Sequence, residues 1–123
     1  MTLNIISPHE LSRLVKEKKD IVIIDIREDY EIENDGKIDG SIHIPMGDLI
    51  NHLNVIPRGE KIIFHCNSGS RSENILNFMI MNNLYLDHYF SLDGGFLAFK
   101  IMSFLGCYVR IEDVSRCLKL TAW

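Results

Sequence analysis

Two short runs, Ile21–Asp25 (IVIID) and Lys61–His65 (KIIFH), constrain the fold of this chain more than any other feature. Each is apolar at nearly every position and rich in β-branched residues. Each is too short for a helix and lacks the alternation of a strand wetted on one side. Such runs read as strands covered on both faces, the usual condition of a parallel sheet. Parallel neighbours need long crossovers, and helical stretches supply them here. Ser7-Pro8-His9-Glu10 opens the first: Ser7 is placed to cap, Pro8 suits the first helical position, and Glu10 completes a capping box. Leu11, Leu14 and Val15 then share a helical face. A short helix is expected over Asp29–Asn34, a strand at Ser41–Pro45 (SIHIP) stopped by its proline, and a short helix over Met46–Leu53. Ser72–Asn83 reads as a helix with Ile75, Leu76, Met79 and Ile80 turned to a core. His88–Leu92 (HYFSL) is a further strand, and Gly94-Gly95 turns the chain into a last helix from Phe96 to about Ser103. Strands alternating with helices imply an α/β domain with a largely parallel sheet. In such sheets ligands bind beyond the carboxyl ends of the strands.

The totals narrow the function. A chain of 123 residues fits one domain and can build a core without disulfide staples. A formal net charge of -4 argues against a general nucleic-acid binder. The three cysteines, Cys66, Cys107 and Cys117, show neither the count of a disulfide framework nor the spacing of a zinc site. They fit a reducing compartment, and a cytoplasmic location is expected. The opening MTLNIISPHE has no signal-peptide pattern, and the longest apolar stretch, near IMSFLGCYV, is far short of a membrane span. Lys16–Lys19 reads as a solvated helix end.

Cys66 is different from the other two cysteines. It follows the run Lys61–His65 directly, so it sits at the carboxyl edge of the sheet. Asn67, Ser68, Gly69 and Ser70 are small or polar, and a helix begins around Arg71 or Ser72. The unpaired amides and positive dipole end of that helix face the loop. Small residues let the backbone curl so that several N–H groups converge on one point, a nest for an anion. The thiolate is the reactive form of cysteine, and helix N-termini and cations favour it. The expected product is an exposed thiolate in a cradle for a negative atom, suited to covalent catalysis. Free cysteines are most often small buried hydrophobes, the reading adopted for Cys107 and Cys117. His65, next to Cys66 on a strand, points to the opposite face, and His43 in IHIP is expected to be hydrogen-bonded rather than catalytic.

The chain resembles a single-domain rhodanese, of the thiosulfate sulfurtransferase family, from about Ser7 to Lys100. The resemblance rests on the N-terminal helix, IIDIRE (Ile23–Glu28), GKIDGSIHIP (Gly36–Pro45), CNSGSRS (Cys66–Ser72) and LDGGFLAF (Leu92–Phe99). Lys37 stands where the family often has histidine, and the segment between Arg27 and Gly36 is a residue longer than usual. The resemblance implies a three-layer domain over residues 1–100, a central mostly parallel sheet flanked by helices. It also implies a two-step reaction. The Cys66 thiolate takes the outer sulfur of a small anionic donor such as thiosulfate, sulfite leaves, and a thiol or protein acceptor removes the persulfide sulfur. No metal or organic cofactor is needed. Asn67, Ser68, Gly69, Ser70 and Arg71 would form the persulfide-binding loop, with Arg71 either orienting the donor or pairing with a carboxylate to hold the loop. Asp25 and Arg27 would support it as a charged pair, and Asp93 would be a turn residue. Neither nucleic acid nor membrane is an expected partner, and the chain would be a monomer or homodimer.

Three rival readings stay open. Cysteine phosphatases related to this fold place five residues between cysteine and arginine, whereas four stand here, a count that favours enclosing one sulfur over a phosphate group. Arsenate reduction would need a further thiol, from Cys107 or Cys117. A sulfur-relay or interaction module is the third. The stretch Ile101–Trp123 is too apolar for a solvated tail, and a short helix is expected over Glu112–Lys119. It either packs on the domain or forms a partner surface, for a second copy or a sulfur acceptor.

Overall fold

The computed structural model describes residues 2–105, with the backbone alone for 104 and 105. The expectations for Cys107, Cys117 and the segment Glu112–Lys119 lie outside the described residues. Five strands form one sheet in the order β1-β5-β4-β2-β3. They are β1 (Asn4–Ile6), β2 (Ile21–Asp25), β3 (Ile42–His43), β4 (Lys61–His65) and β5 (Tyr89–Leu92), and every pairing is parallel. The helices are α1 (Pro8–Lys16), α2 (Asp29–Asp35), α3 (Met46–Leu49), α4 (Ser70–Met81) and α5 (Gly95–Leu105), and a 3-10 segment, Ile50–Val55, follows α3.

β4 is the central strand, and its alternate residues supply both cores. Ile62, Phe64 and Cys66 join Ile24, Ile26, Leu49, Leu76 and Met79 in one cluster, towards α3 and α4. Ile63 joins Ile6, Leu11, Leu14, Leu92 and Phe96 in the other, towards α1 and α5. Burial on both faces is why β2 and β4 carry uninterrupted apolar runs. The last residues of β4 and the turn after it therefore emerge at the middle of the carboxyl edge.

Several local details differ from expectation. Ser7 caps α1 by accepting from the Glu10 amide at 3.0 Å, but the Glu10 carboxylate accepts from Arg13 Nε at 2.9 Å. Val15 is exposed, while Leu11 and Leu14 are buried. The helix expected over Met46–Leu53 tightens into a 3-10 segment after Leu49, and that segment is itself kinked at His52, whose φ of -120° and ψ of 16° leave the helical region. The strand expected at Ser41–Pro45 pairs only over Ile42–His43. β1 is an additional strand. α5 runs to Leu105, across the domain boundary expected at Lys100.

Candidate active site

The turn after β4 is built around the Cys66 sulfur. Two backbone amides donate to Sγ, Gly69 at 3.1 Å and Ser72 at 3.4 Å. Gly69 caps α4 in the left-handed region, φ 103°, which brings the chain over the sulfur at once. The helix consequently starts at Ser70 rather than at Arg71 or Ser72, and its first-turn amides lack carbonyls one turn earlier. Ser72 Oγ lies 3.7 Å from Sγ, donates to the Gly69 carbonyl at 3.1 Å, and sits 2.7 Å from Ser91 Oγ of β5.

Cys66 is fully buried, which corrects the expectation of an exposed thiolate. The physical reason is the alternation of β4. Cys66 continues the row of Ile62 and Phe64 into the core under α4, and the loop closes above it. Asn67 is half-buried, and Ser68 and Ser70 form the exposed outer surface of the loop.

The loop is held from below by α5. The Phe96 amide donates to the Cys66 carbonyl at 2.8 Å and the Leu97 amide to the Asn67 carbonyl at 3.0 Å. The helix N-terminus therefore grips the two peptide units that follow β4. This approach requires Gly95. Its φ is 62°, and a Cβ there would stand 2.5 Å from the Cys66 oxygen and 2.7 Å from the Asn67 carbonyl carbon. The Gly94-Gly95 pair thus does more than turn the chain.

Arg71 makes a two-pronged pair with Glu31 of α2, at 2.6 and 2.7 Å. Of the two roles considered for it, this geometry is that of holding the loop. Glu31 also accepts from the Glu28 amide at 3.2 Å in a capping box, so one carboxylate ties the start of α2 to the start of α4. The Arg71 hydrogen bonds hold the Glu31 carboxyl below its usual value, and Glu31 in turn pushes Arg71 up.

Asp25 and Arg27 form a fully buried pair beside the loop, with Nη2 to Oδ2 at 2.7 Å and Nε to Oδ1 at 3.0 Å. Arg27 Nη2 also donates to the Gly36 carbonyl at 2.8 Å, and the guanidinium lies 4.1 Å from the Phe96 ring centre. Burial alone would raise the Asp25 carboxyl, but the Arg27 side-chain hydrogen bond, followed by the interaction with His65, leads the opposing effects and keeps it below the usual value. His65 packs against Phe96, on the face opposite the Cys66 sulfur, with Nε2 3.7 Å from Asp25. Burial holds the imidazole below its usual value against the pull of Asp25, so it is neutral. His43 Nε2 lies 2.6 Å from the Arg27 carbonyl. Asp93 is exposed, and its amide donates to Ile6 across β1 and β5.

Sequence reasoning missed Glu31, Ser72, Ser91 and the contact made by Gly95. The doubled glycine was a visible signal for the last of these. Nothing local marks Glu31 or Ser91, which reach the loop from α2 and β5.

Fold and loop together define an α/β domain with a cysteine at the end of its central parallel strand, its sulfur cradled by two amides. Residues 7–102 match the rhodanese-like domain family, and the chain belongs to it. Among its relatives is the Bacillus subtilis protein named "Putative sulfurtransferase YtwF", 30% identical over 79 residues, which are 64% of this chain and 76% of that protein. Another, named "Sulfurtransferase", from Allochromatium vinosum, is 26% identical over 96 residues, 78% of this chain and 87% of the relative. Among solved structures, a Rhodopseudomonas palustris protein of unknown function, described as a possible tyrosine phosphatase, superposes with a TM-score of 0.73 at 27% identity and covers 82% of each chain. Among the described residues no helix is long and apolar enough to cross a membrane, and no cluster of His, Cys, Asp or Glu could hold a metal ion.

Proposed function

We propose that this protein is a sulfurtransferase that moves a sulfane sulfur from thiosulfate or a related anionic donor to a thiophilic acceptor through a persulfide on Cys66. The observation that carries the reading is the convergence of the Gly69 and Ser72 amides on one sulfur, at 3.1 and 3.4 Å. Membership of the family and the names of the two relatives support it. In the first step the thiolate attacks the outer sulfur of thiosulfate. A bond forms between Sγ and that sulfur, the bond to the sulfonate breaks, and sulfite leaves with the electron pair. In the second step an acceptor thiolate or cyanide attacks the terminal sulfur, and Cys66 leaves as the thiolate. The amides that stabilise the sulfur anion are fixed before the reaction, so no reorganisation is needed as charge develops. Asn67, Ser68 and Ser70 form the rest of the cradle. Asp25 and Arg27 support it, and Arg71 keeps the loop closed through Glu31.

Two features weigh against phosphate-ester hydrolysis, the reading raised by the description of the Rhodopseudomonas protein. The loop has four residues between Cys66 and Arg71, and the Arg71 guanidinium is engaged with Glu31 through two hydrogen bonds. A phosphate group needs more amides and a free arginine around it. Incubation with thiosulfate, followed by digestion and mass spectrometry, should add one sulfur to the Cys66 peptide, removable by a thiol reductant. Aryl-phosphate hydrolysis without sulfur transfer, or sulfur mapped to Cys107 or Cys117, would overturn the reading.

A further inference from the structure

The Ser72 hydroxyl has one proton and three neighbours: the Gly69 carbonyl at 3.1 Å, Ser91 Oγ at 2.7 Å and Cys66 Sγ at 3.7 Å. A carbonyl can only accept, so a Ser72 proton aimed at Gly69 leaves the Ser72 oxygen to accept from the other two. Ser91 is then the donor in the short Ser72–Ser91 bond. That bond is the one hydrogen bond its hydroxyl makes among the described residues, and both serines are fully buried. The thiol form of Cys66 completes the set by donating its S–H to Ser72.

Ionisation of Cys66 breaks this arrangement in one place. Sγ loses its proton and becomes an acceptor, so the Ser72 oxygen loses a donor and faces an anion. The arrangement is restored when the Ser72 proton turns from the Gly69 carbonyl to Sγ. Ser91 continues to donate to Ser72 throughout, and a hydroxyl that accepts a hydrogen bond is the stronger donor. We infer that Ser91 is a positioning residue for the reaction. It anchors and polarises the Ser72 hydroxyl so that its single proton serves the Gly69 carbonyl while Cys66 is a thiol and the sulfur while Cys66 is a thiolate. The thiolate released when the terminal sulfur leaves is the one that attacks the next donor, so the Ser72 proton faces the sulfur at the start and end of each turnover. No atom is exchanged between the serines and the sulfur, only the direction of one O–H bond. Ser91 is on a strand paired with β4 and β1, not in the cysteine loop, so it can do this without moving the cradle amides.

The inference rests on the sulfurtransfer reading for its role in turnover, but the test does not. Thiolate formation is followed by ultraviolet absorbance as pH is raised, with the Cys66→Ser titration subtracted to remove the other two cysteines. Ser91→Ala is expected to displace the curve to higher pH, lowering the thiolate fraction at a fixed pH on the rising limb by up to about threefold, because Ser91 donates in both protonation states and only its polarisation of the Ser72 hydroxyl distinguishes them. Ser91→Thr and Ser91→Val have nearly the same shape and differ in the hydroxyl, which controls for packing. The threonine variant should titrate near the parent and the valine variant near Ser91→Ala. Coincident threonine and valine curves, or an unmoved Ser91→Ala curve, would overturn the inference whether or not the protein transfers sulfur. A protein with these shifts but no sulfur transfer would keep the hydroxyl relay and lose the functional reading.

Discussion

The turns after β2 and β4 leave the same edge of the sheet side by side and solve opposite problems. After β2, polarity is carried by side chains: Asp25 and Arg27 bury a full ion pair and bond to each other and to the Gly36 carbonyl. After β4, it is carried by the backbone: amides turn inward to one sulfur, while carbonyls turn down to the first amides of α5. The buried pair is occupied mainly with itself, and Arg27 Nη1 is its one guanidinium nitrogen left without a hydrogen-bond partner among the described residues. A site made of amides around an uncommitted atom keeps its capacity for an anion. On the proposed reading the first is support and the second is chemistry, and substitutions should separate them.

The largest effect is expected from Cys66→Ser. Serine oxygen still accepts from the Gly69 and Ser72 amides, so stability should change little while sulfur transfer falls to background. A thiosulfate–cyanide assay paired with thermal melts checks both halves. Arg27→Ala should do the reverse, because it strands the buried Asp25 carboxylate. Loss of one partner of such a pair costs about 3–5 kcal/mol, measured by urea unfolding. Gly95→Ala tests the close approach of α5 to the cysteine loop. The new Cβ meets the Cys66 carbonyl at 2.5 Å in a backbone region that disfavours side chains, so a loss on the order of 1–3 kcal/mol is expected. Activity should fall by more than the fraction unfolded, because the displaced peptide is that of the nucleophile.

The smallest effect concerns acidity. His65 has its proton affinity lowered by burial relative to the usual 6.5. Below that pH the unfolded chain takes up a proton that the folded chain resists, so stability falls as pH falls. The loss has a limiting slope of about 1.4 kcal/mol per pH unit and ends at the folded value. Unfolding free energy should be lower one unit below 6.5 than at neutral pH, and His65→Gln should flatten the difference. Glu31 and Asp25, both held below their usual values, add their losses only at lower pH, through the carboxylate range. An equal slope in His65→Gln would mean that the buried pair, not the histidine, governs the acid limit.

What was legible in the sequence follows the range of the forces involved. β2 and β4 match expectation at both ends, since a strand buried on both faces records its state at every residue. Cys66 was legible because strand end, small loop and helix start are consecutive. β1 was not, since three residues carry no period and take their definition from pairing with β5, Asn4 opposite Phe90. The burial of the thiol depends on which side of β4 faces α4, and an uninterrupted apolar run does not reveal that. Glu31 and Ser91 meet the loop across separations of 40 and 19 residues from Arg71 and Ser72, distances at which sequence pattern carries no contact information.

The pairing of the first strand with the last also sets the order in which the chain can fold during synthesis. β1 lies against β5 alone, Ile6 opposite Leu92, and the Asp93 amide bonds back to Ile6. A growing chain has nothing for β1 to pair with until β5 has left the ribosome. α5, which grips the cysteine loop from below, follows only after that. Cys66 and its amides are therefore made before the helix that holds their peptide units from below. Closing so long a loop carries a large entropic barrier, and non-local strand pairing of this kind slows folding.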